Sequence, residues 1–226
     1  MKLKNFQHLT FPKDKYKVAQ RIDGEVMRLY ETVEGNRYPS ITSVLGCQPK
    51  PELEAWKARV GPVEAARVSK EATVRGSRIH DMCEAYLKNE FNPKSYNPFH
   101  LDEWMGIKTH LDKHVDNVFS TELTLYSDRL KAAGTADLIA EYNGELSLLD
   151  FKTSKRIKYK EDIKDYFLQC TAYSCMVYEM FGIKLNNIVI LMIVDGGQIL
   201  TFEEKAEDYM EDFFRVRRMF KEIHGI

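Results

Sequence analysis

The stretch Gly134–Lys152, GTADLIAEYNGELSLLDFK, consists of two apolar runs of β-forming residues on either side of Asn143-Gly144. Asn-Gly is among the strongest short-range signals of a two-residue hairpin turn, because both residues tolerate the positive φ that this turn requires. A two-residue turn fixes the register, and counting outward from it places Asp137 directly opposite Asp150. The sequence therefore predicts an antiparallel hairpin that carries one carboxylate on each strand.

Three charged side chains lie inside this apolar hairpin. Directly opposite residues of an antiparallel pair point to the same side of the sheet, and Asp150 and Lys152 share that side because strand side chains alternate. Opposed carboxylates repel, and the apolar flanks ADLIA and LLDFK limit screening by water. A proton on one aspartate, the ammonium of Lys152, or a divalent cation such as Mg²⁺ or Mn²⁺ would each relieve the repulsion. A bulge in either strand would change the register.

The composition is that of an ordinary soluble globular protein. The chain has 226 residues, of which 44% are hydrophobic and 30% are charged, and this suits a single domain over residues 1–226. It contains no apolar run as long as a membrane span and no secretory leader, so we expect no membrane partner. Its four cysteines form no CxxC pair and are expected to be free thiols in a reducing cytoplasm.

The N-terminal segment MKLKNFQHLTFPKDKYK is basic, which is compatible with a mitochondrial presequence. It lacks the enrichment in Arg and Ser that such presequences show, and it runs directly into a strand pattern. We therefore expect a cytoplasmic protein, in a bacterium or a phage-infected host cell, ahead of a mitochondrial one.

The order of the predicted elements indicates an α/β fold. Helical stretches at 51–61, 62–89 and 100–118 precede most of the strands. The other predicted elements are a hairpin within 16–32 that turns at Asp23-Gly24, the strand TELTLYS, helices at 161–181 and 205–223, and the strands NNIVILMIVDGG and QILTFEE. This order predicts a mixed central sheet flanked by helices, with 51–118 as a helical segment ahead of the core.

Basic residues are concentrated in two runs, although the formal net charge is −1. The runs are Lys152, Lys155, Arg156, Lys158 and Lys160, and then Lys57, Arg59, Arg67, Lys70, Arg75 and Arg78. A charge run is usually a solvated face, and each run by itself favours that interpretation. Charge alone therefore does not establish a nucleic-acid partner.

The segment Gly134-Thr135-Ala136-Asp137 followed by Asp150-Phe151-Lys152 resembles the PD-(D/E)XK nuclease motif, with Ala136 in place of its proline. More narrowly, residues 38–195 resemble RecB-like exonucleases, a group with mitochondrial, phage and CRISPR-associated members. Further matching elements occur in the same order along the chain. They are RYPSITSVLG, the G-x-x-x-H pattern from Gly76 to His80, the acidic Glu122, and the Q-x-x-x-Y pattern from Gln169 to Tyr173.

This resemblance implies a restriction-endonuclease-like core and metal-dependent hydrolysis of DNA phosphodiesters. The implied ligands of Mg²⁺ or Mn²⁺ are His80, Glu122, Asp137, Asp150 and the main-chain carbonyl of Phe151. The implied catalytic residues are Asp137, Asp150, Lys152 and His80. Lys152 would orient the attacking water and stabilise the developing negative charge, a role that suits a compact ammonium.

The resemblance also implies DNA as the partner, single-stranded or with single-stranded ends, and replication or recombination proteins as further partners. The implied contacts to DNA are Gln169, Tyr173, Arg75, Arg78 and Lys155. In related exonucleases a helical segment arches over the site and admits a single strand, and 51–118 is the candidate here. CRISPR-associated members usually carry a four-cysteine iron–sulfur site after the core. No cysteine follows Cys175, so we expect no iron–sulfur cluster.

Several of these residues also have ordinary structural interpretations. A lone histidine is seldom a metal ligand. A ligand role for His80 is favoured by Gly76, which lies one helical turn earlier, because its missing side chain leaves room for a metal or a phosphate. Trp56 and Trp104 are expected in the core rather than stacked on bases. Two other functions stay open, a structure-specific endonuclease and a non-catalytic nucleic-acid-binding recombination partner. The intact acidic motif disfavours the second, and the helical segment favours processing of ends.

Overall fold

The structure is a computed structural model that describes residues 2–10, 19–23 and 27–226. The strands in this part of the chain are β1 Gln7–His8, β2 Gln20–Asp23, β3 Arg28–Glu31, β4 Arg37–Pro39, β5 Val115–Ser127, β6 Ala132–Tyr142, β7 Glu145–Ser154, β8 Asn187–Val194 and β9 Ile199–Lys205. The helices are α1 Ile41–Leu45, α2 Pro51–Val60, α3 Pro62–Leu87, α4 Pro98–His114, α5 Lys164–Phe181 and α6 Met210–His224. None of these helices in the described ranges is both long and apolar enough to cross a membrane.

Six of the strands form a mixed sheet in the order β1-β5-β6-β7-β8-β9. β5, β6 and β7 are antiparallel neighbours, whereas β7 and β8 are parallel and are joined by a crossover through α5. The strands β2, β3 and β4 form a separate antiparallel sheet. The predicted α/β fold with a mixed central sheet flanked by helices is confirmed.

Apolar side chains cover both faces of the central sheet. One core cluster joins the sheet to α1, α5 and α6, and the other joins it to α3 and α4. All eight residues of β8 are buried, as expected of a central strand with helices on both faces. Trp104 of α4 is fully buried and contacts the rings of Tyr86 and Phe91, which confirms core packing for this residue.

The hairpin of β6 and β7 has the predicted register. Both residues of the Asn143-Gly144 turn have positive φ, 52° and 81°, and strand pairing continues outward as far as Leu138 opposite Leu149. The ladder ends at this pair. One step further, the amide of Phe151 donates to the carboxylate of Asp137, with N and Oδ2 2.8 Å apart. The two strands therefore separate at the residues that carry the charges.

The helix predicted at 100–118 has different bounds in the structure. α4 starts earlier because Asn97 caps it, its side chain accepting a hydrogen bond from the amide of Phe99. It also ends earlier, because the segment from Val115 onward pairs with β6 as a long strand. Pairing with the central sheet thus outweighs the local helical pattern in this segment.

The hairpin predicted within 16–32 lies partly outside the described residues, which omit 11–18 and 24–26. In the described part, β2 and β3 are antiparallel as predicted, with Asp23 opposite Arg28. A two-residue turn at Asp23-Gly24 would place Ile22 opposite Glu25, whereas Ile22 lies opposite Leu29 in the described register.

Residues 51–78, which we call the helical arm, comprise α2 and the first part of α3. In the described structure no side chain of α2 is buried, and Ala65 is the buried residue of the arm. The other buried residues of α3 all lie in 79–87, where the helix packs on the sheet. The end of α3 is therefore anchored in the core, whereas the arm contributes few side chains to it.

Candidate active site

Three potential metal ligands converge where β6 and β7 separate. They come from different elements, with His80 on α3, Glu122 on β5 and Asp137 on β6. One ligand atom of each lies within 4.8 Å of the others, and this is the one such group of His, Cys, Asp or Glu found among the described residues. All three side chains are partly exposed, so a substrate in solution can reach them.

Glu122 lies on β5 and has an unusual backbone conformation. The flanking residues Thr121 and Leu123 both pair with β6, which leaves Glu122 opposite Asp137. Glu122 has a φ of 48°, in the left-handed region that costs a residue with a side chain roughly 1–2 kcal/mol. Strain of this kind persists where the surrounding structure imposes it, and it is concentrated at functional sites.

His80 is oriented by the main chain of β7. Its Nε2 lies 2.7 Å from the carbonyl oxygen of Phe151, which can only accept, so Nε2 carries the hydrogen. In a neutral ring Nδ1 then keeps a free lone pair, and it lies 3.5 Å from Oδ2 of Asp137. The carbonyl of Phe151, implied as a metal ligand by the resemblance, holds the imidazole in this structure.

Asp150 and Lys152 lie beside this group as a buried ion pair. The ammonium of Lys152 contacts Oδ2 of Asp150, a residue that is 1% exposed. Within the described structure neither oxygen of Asp150 has a hydrogen bond of normal geometry. Oδ1 also lacks the ammonium contact that Oδ2 has, and a buried carboxylate oxygen without a donor is costly, so the pocket around Asp150 is suited to a further positive charge.

Burial and mutual repulsion shift the pKa values of these groups. Burial, followed by the carboxylate of Asp137, raises the pKa of Glu122 to about 7. Burial also raises the pKa of Asp150, and the ammonium of Lys152 opposes that shift. Burial lowers the pKa of Lys152, but Asp150 and Asp137 outweigh it and the net shift is upward. Lys152 is therefore charged at neutral pH, while the carboxylates compete for protons.

The Q-x-x-x-Y pattern on α5 forms a packing contact. The side-chain amide of Gln169 donates to the hydroxyl of Tyr173 at 3.2 Å, and Tyr173 is 3% exposed. Gly134 of β6 makes room for the ring, since a Cβ at this position would lie 2.6 Å from Cε1 of Tyr173. Tyr173 thus holds α5 against β6, which differs from its implied contact with DNA, whereas Gln169 is half-buried.

Arg75 and Arg78 are engaged in ion pairs within the protein. Nε of Arg75 lies 2.5 Å and Nη2 of Arg78 lies 2.8 Å from the carboxylate of Glu103 on α4. Arg75 also pairs with Asp195 at 2.9 Å. These contacts fasten α3 to α4 and to the end of β8. The implied contacts of Arg75 and Arg78 with DNA stay a prediction, and in this structure both guanidinium charges have carboxylate partners.

Tyr166 was not identified from the sequence, although the structure places it against Lys152. Nζ of Lys152 lies 5.0 Å from the centre of the Tyr166 ring. Tyr166 precedes Gln169 by three residues on α5, so helical spacing from the Q-x-x-x-Y pattern was the signal that could have found it.

Gly134→Ala is expected to lower the free energy of unfolding by about 1–3 kcal/mol, because the new Cβ would overlap the ring of Tyr173. Gly76→Ala is the matched control. Its Cβ would meet one described atom within 4 Å, Oγ1 of Thr153 at 3.8 Å, and alanine is favoured over glycine inside a helix by roughly 1 kcal/mol. Urea denaturation measures both changes, and equal stability of the two variants would contradict the packing of Tyr173.

No protein-family model matches the chain. In sequence the chain is 27% identical over 171 residues to mitochondrial genome maintenance exonuclease 1 of Mus musculus, which covers 70% of this chain and 51% of that protein. It is 28% identical over 151 residues to the Homo sapiens protein of the same name, which covers 62% of this chain and 44% of that protein. The chain thus spans about half the length of the curated relatives it matches.

Among solved structures, a proposed exonuclease from Eubacterium rectale gives a TM-score of 0.40 with 16% identity, over 66% of this chain and 68% of that one. A superposition at this level is partial, so the relationship rests on the sequence matches. The chain therefore has mitochondrial genome maintenance exonuclease 1 among its homologues, in agreement with the RecB-like resemblance of its motifs.

Proposed function

We propose that the chain is a metal-dependent DNA exonuclease that hydrolyses phosphodiester bonds from single-stranded ends. The observation that carries the proposal is the convergence of His80, Glu122 and Asp137 within 4.8 Å, beside the buried pair of Asp150 and Lys152. The homologous exonucleases support the same class of reaction. Replication, repair or recombination is the proposed process, in the cytoplasm of a bacterium or a phage-infected cell.

The side chains of the site fit a Mg²⁺ or Mn²⁺ ion. The imidazole of His80 and the carboxylates of Glu122 and Asp137 form a donor group rich in hard oxygen atoms, which these ions prefer, and the carboxylate of Asp150 lies beside it. Oδ1 of Asp150, which has no hydrogen-bond partner among the described residues, would gain one. A divalent cation would also offset the repulsion from Asp137 that raises the pKa of Glu122.

The residues of the chain divide the work of hydrolysis between them. A bound divalent cation would supply charge stabilisation at the phosphoryl group and a lowered pKa for its water. Lys152, kept protonated by the neighbouring aspartates, orients the attacking water and stabilises the negative charge that develops on the phosphate oxygens. His80, fixed through Nε2 by the carbonyl of Phe151, keeps Nδ1 directed at the donor group.

The helical arm supports a preference for single strands, because the chain is tied down on both sides of the site. Ahead of the arm, the side chains of Gln48 and Lys50 each lie 2.9 Å from the carboxylate of Asp165, at the start of α5. Within the arm, Glu71 lies 3.6 Å from Nζ of Lys155, just beyond β7. The segment between these anchors runs from α5 to β7, the two elements that flank the buried ion pair. We propose that a chain closed in this way bounds a passage for one flexible strand.

Exposed basic side chains of the arm and of the loop after β7 are the proposed phosphate contacts. Among the described residues, Arg59, Lys70 and Arg156 are exposed and have no ion-pair partner. They take the place of Arg75 and Arg78, whose charges are compensated. Binding through such contacts is independent of sequence and weakens steeply as the salt concentration rises.

The proposal is tested by time courses on single-stranded and duplex DNA labelled at either end, with Mg²⁺, with Mn²⁺ and with EDTA. We expect stepwise shortening of the single strand from one end in the presence of metal and no cleavage in EDTA. Asp81→Asn is the matched control variant, since Asp81 is exposed and adjoins His80 in sequence but lies outside the donor group. Cleavage in EDTA, or early products from internal cuts, would contradict the proposal.

Without metal, Glu122→Gln is expected to raise the melting temperature at pH 8 and to change it little at pH 5. The folded protein binds the Glu122 proton more tightly than the unfolded chain, because the folded pKa is about 7 and the ordinary value is 4.5. The wild type therefore loses stability as the pH rises through that window, and an uncharged amide does not.

Differential scanning calorimetry across this pH range measures the effect, with Glu141→Gln, elsewhere on β6, as the control. Mn²⁺ should raise the melting temperature of the wild type more than that of Glu122→Gln, because only the wild type has the full donor set. A gain in stability that is the same at pH 5 and pH 8 would show that Glu122 is not under electrostatic repulsion.

A further inference from the structure

The ammonium of Lys152 is enclosed by two different kinds of partner. On one side it contacts the carboxylate of Asp150. On another, its Nζ lies 5.0 Å from the centre of the ring of Tyr166, within the range of a cation–π contact. Tyr166 is half-buried at the edge of the core cluster on the α5 face of the sheet. Neither the family motifs nor the proposed donor group includes this tyrosine.

Asp150 and Tyr166 would not be equivalent partners of Lys152 once a cation is bound. A carboxylate that ligates a cation has less negative charge to offer a neighbouring ammonium. The attraction between Asp150 and Lys152 would therefore weaken when the cation is bound and cleavage takes place. The attraction between an ammonium and the face of an aromatic ring does not weaken in this way, because the ring does not ligate the cation. A lysine side chain has four rotatable bonds, and a catalytic ammonium must be placed to within about 0.5 Å. A second, permanent partner therefore has a clear physical use.

The position of Tyr166 is itself fixed. The preceding residue, Asp165, accepts from the side-chain amide of Gln48 and pairs with Lys50, each at 2.9 Å. These contacts hold the first turn of α5 against the chain that leads into the helical arm. Burial also raises the pKa of the Tyr166 hydroxyl, although Lys152 opposes the shift, so the ring is neutral at physiological pH.

We infer that Tyr166 is a positioning residue that holds the ammonium of Lys152 in its catalytic orientation through the face of its ring. The inference rests on the proposed nuclease function and adds a residue to that site. It assigns the effect to the aromatic face and not to the hydroxyl or to the apolar volume. Those three contributions can be separated by substitution.

Tyr166→Phe keeps the ring and removes the hydroxyl, whereas Tyr166→Leu keeps much of the apolar volume and removes the ring. We expect Tyr166→Phe to cleave DNA within about twofold of the wild-type kcat, and Tyr166→Leu to lose roughly 3- to 30-fold in kcat, as a cation–π contact of this kind predicts. KM and the affinity for Mn²⁺ should stay unchanged in both. In a Lys152→Ala background, Tyr166→Leu should have no further effect, because the partner it positions is gone.

A second measurement reads the contact without any cleavage. In protein labelled with ¹³C-lysine, the ε-methylene protons of Lys152 should be shifted upfield by the ring in the wild type and in Tyr166→Phe. They should return to the ordinary lysine position in Tyr166→Leu, with Lys152→Ala giving the assignment. An unshifted Lys152 signal in the folded wild type, or wild-type kcat in Tyr166→Leu, would overturn the inference. If Tyr166→Leu has the wild-type kcat and Lys152→Ala is inactive, the proposed nuclease function still holds and only the role of Tyr166 is refuted.

Discussion

Asp137→Asn is expected to lower the rate of DNA cleavage by more than about 10³-fold while the protein stays folded. Asp137 is the central member of the site: it lies opposite Glu122, 3.5 Å from Nδ1 of His80, and it accepts the amide hydrogen of Phe151. The asparagine oxygen can still accept that hydrogen, so the strands keep their contact. What is lost is the negative charge that would bind the proposed cation. Single-turnover cleavage measures the rate, and calorimetric titration with Mn²⁺ measures the affinity.

Asp137 is a cleaner probe of the site than either member of the buried ion pair. Removal of Asp150 would leave Lys152 as an unpaired cation in a largely buried position, which costs about 3–5 kcal/mol where such pairs are fully buried. Removal of the charge at Asp137 instead relieves repulsion on Glu122. We therefore expect the melting temperature of metal-free Asp137→Asn to equal or exceed that of the wild type. A folded Asp137→Asn variant that cleaves DNA at the wild-type rate, or binds Mn²⁺ with wild-type affinity, would rule out the proposed site.

Covalently closed single-stranded DNA is expected to resist the enzyme, whereas the same strand with free ends is degraded to completion. The chain between Lys50 and Glu71 is fastened at one end to α5 and at the other to the segment after β7. A closed circle could not enter the passage proposed beneath that chain, whereas a strand with a free end could be threaded through it. The difference should therefore be nearly all-or-none rather than a change of a few fold. Gel electrophoresis of both substrates over the same time course measures it.

The control substrate is the same circle cut once before the protein is added. A short splint oligonucleotide pairs with the circle and directs the cut to one site. The sequence, length and phosphate charge of the opened circle are then the same as in the resistant substrate, and only the ends differ. Equal rates on closed and opened circles would refute threading and would favour a structure-specific endonuclease. Linear duplex without single-stranded ends should behave like the closed circle, because a stiff duplex cannot follow the same path.

The parts of the site that could be predicted from the sequence are those encoded locally. The Asn143-Gly144 turn determines which residues of β6 and β7 lie opposite each other, and the structure has that register. Strand alternation then places Asp150 and Lys152 on one face. The position of His80 was inferred from a motif, because nothing in its own neighbourhood indicates which part of the sheet α3 covers.

The parts that could not be predicted depend on contacts between distant segments. Arg75 was expected to face phosphates, but its partner Glu103 is 28 residues away on another helix. The left-handed backbone at Glu122 lies between two residues that pair with distant β6, and it has no signature in residue type. These are features of tertiary packing, which overrides local charge and propensity patterns.

Two contacts of Phe151 in the site differ in the length of chain that they close. The contact between Phe151 and Asp137 closes only 14 residues of chain, whereas that between His80 and Phe151 closes 71. By loop-closure entropy the longer contact costs about 1.4 kcal/mol more, so the acidic half of the site is inexpensive to form and the imidazole joins when α3 docks. A chain in which the hairpin has formed and α3 has not yet docked would present Asp137 without His80, and the proposed cation would gain its full donor group only when α3 docks.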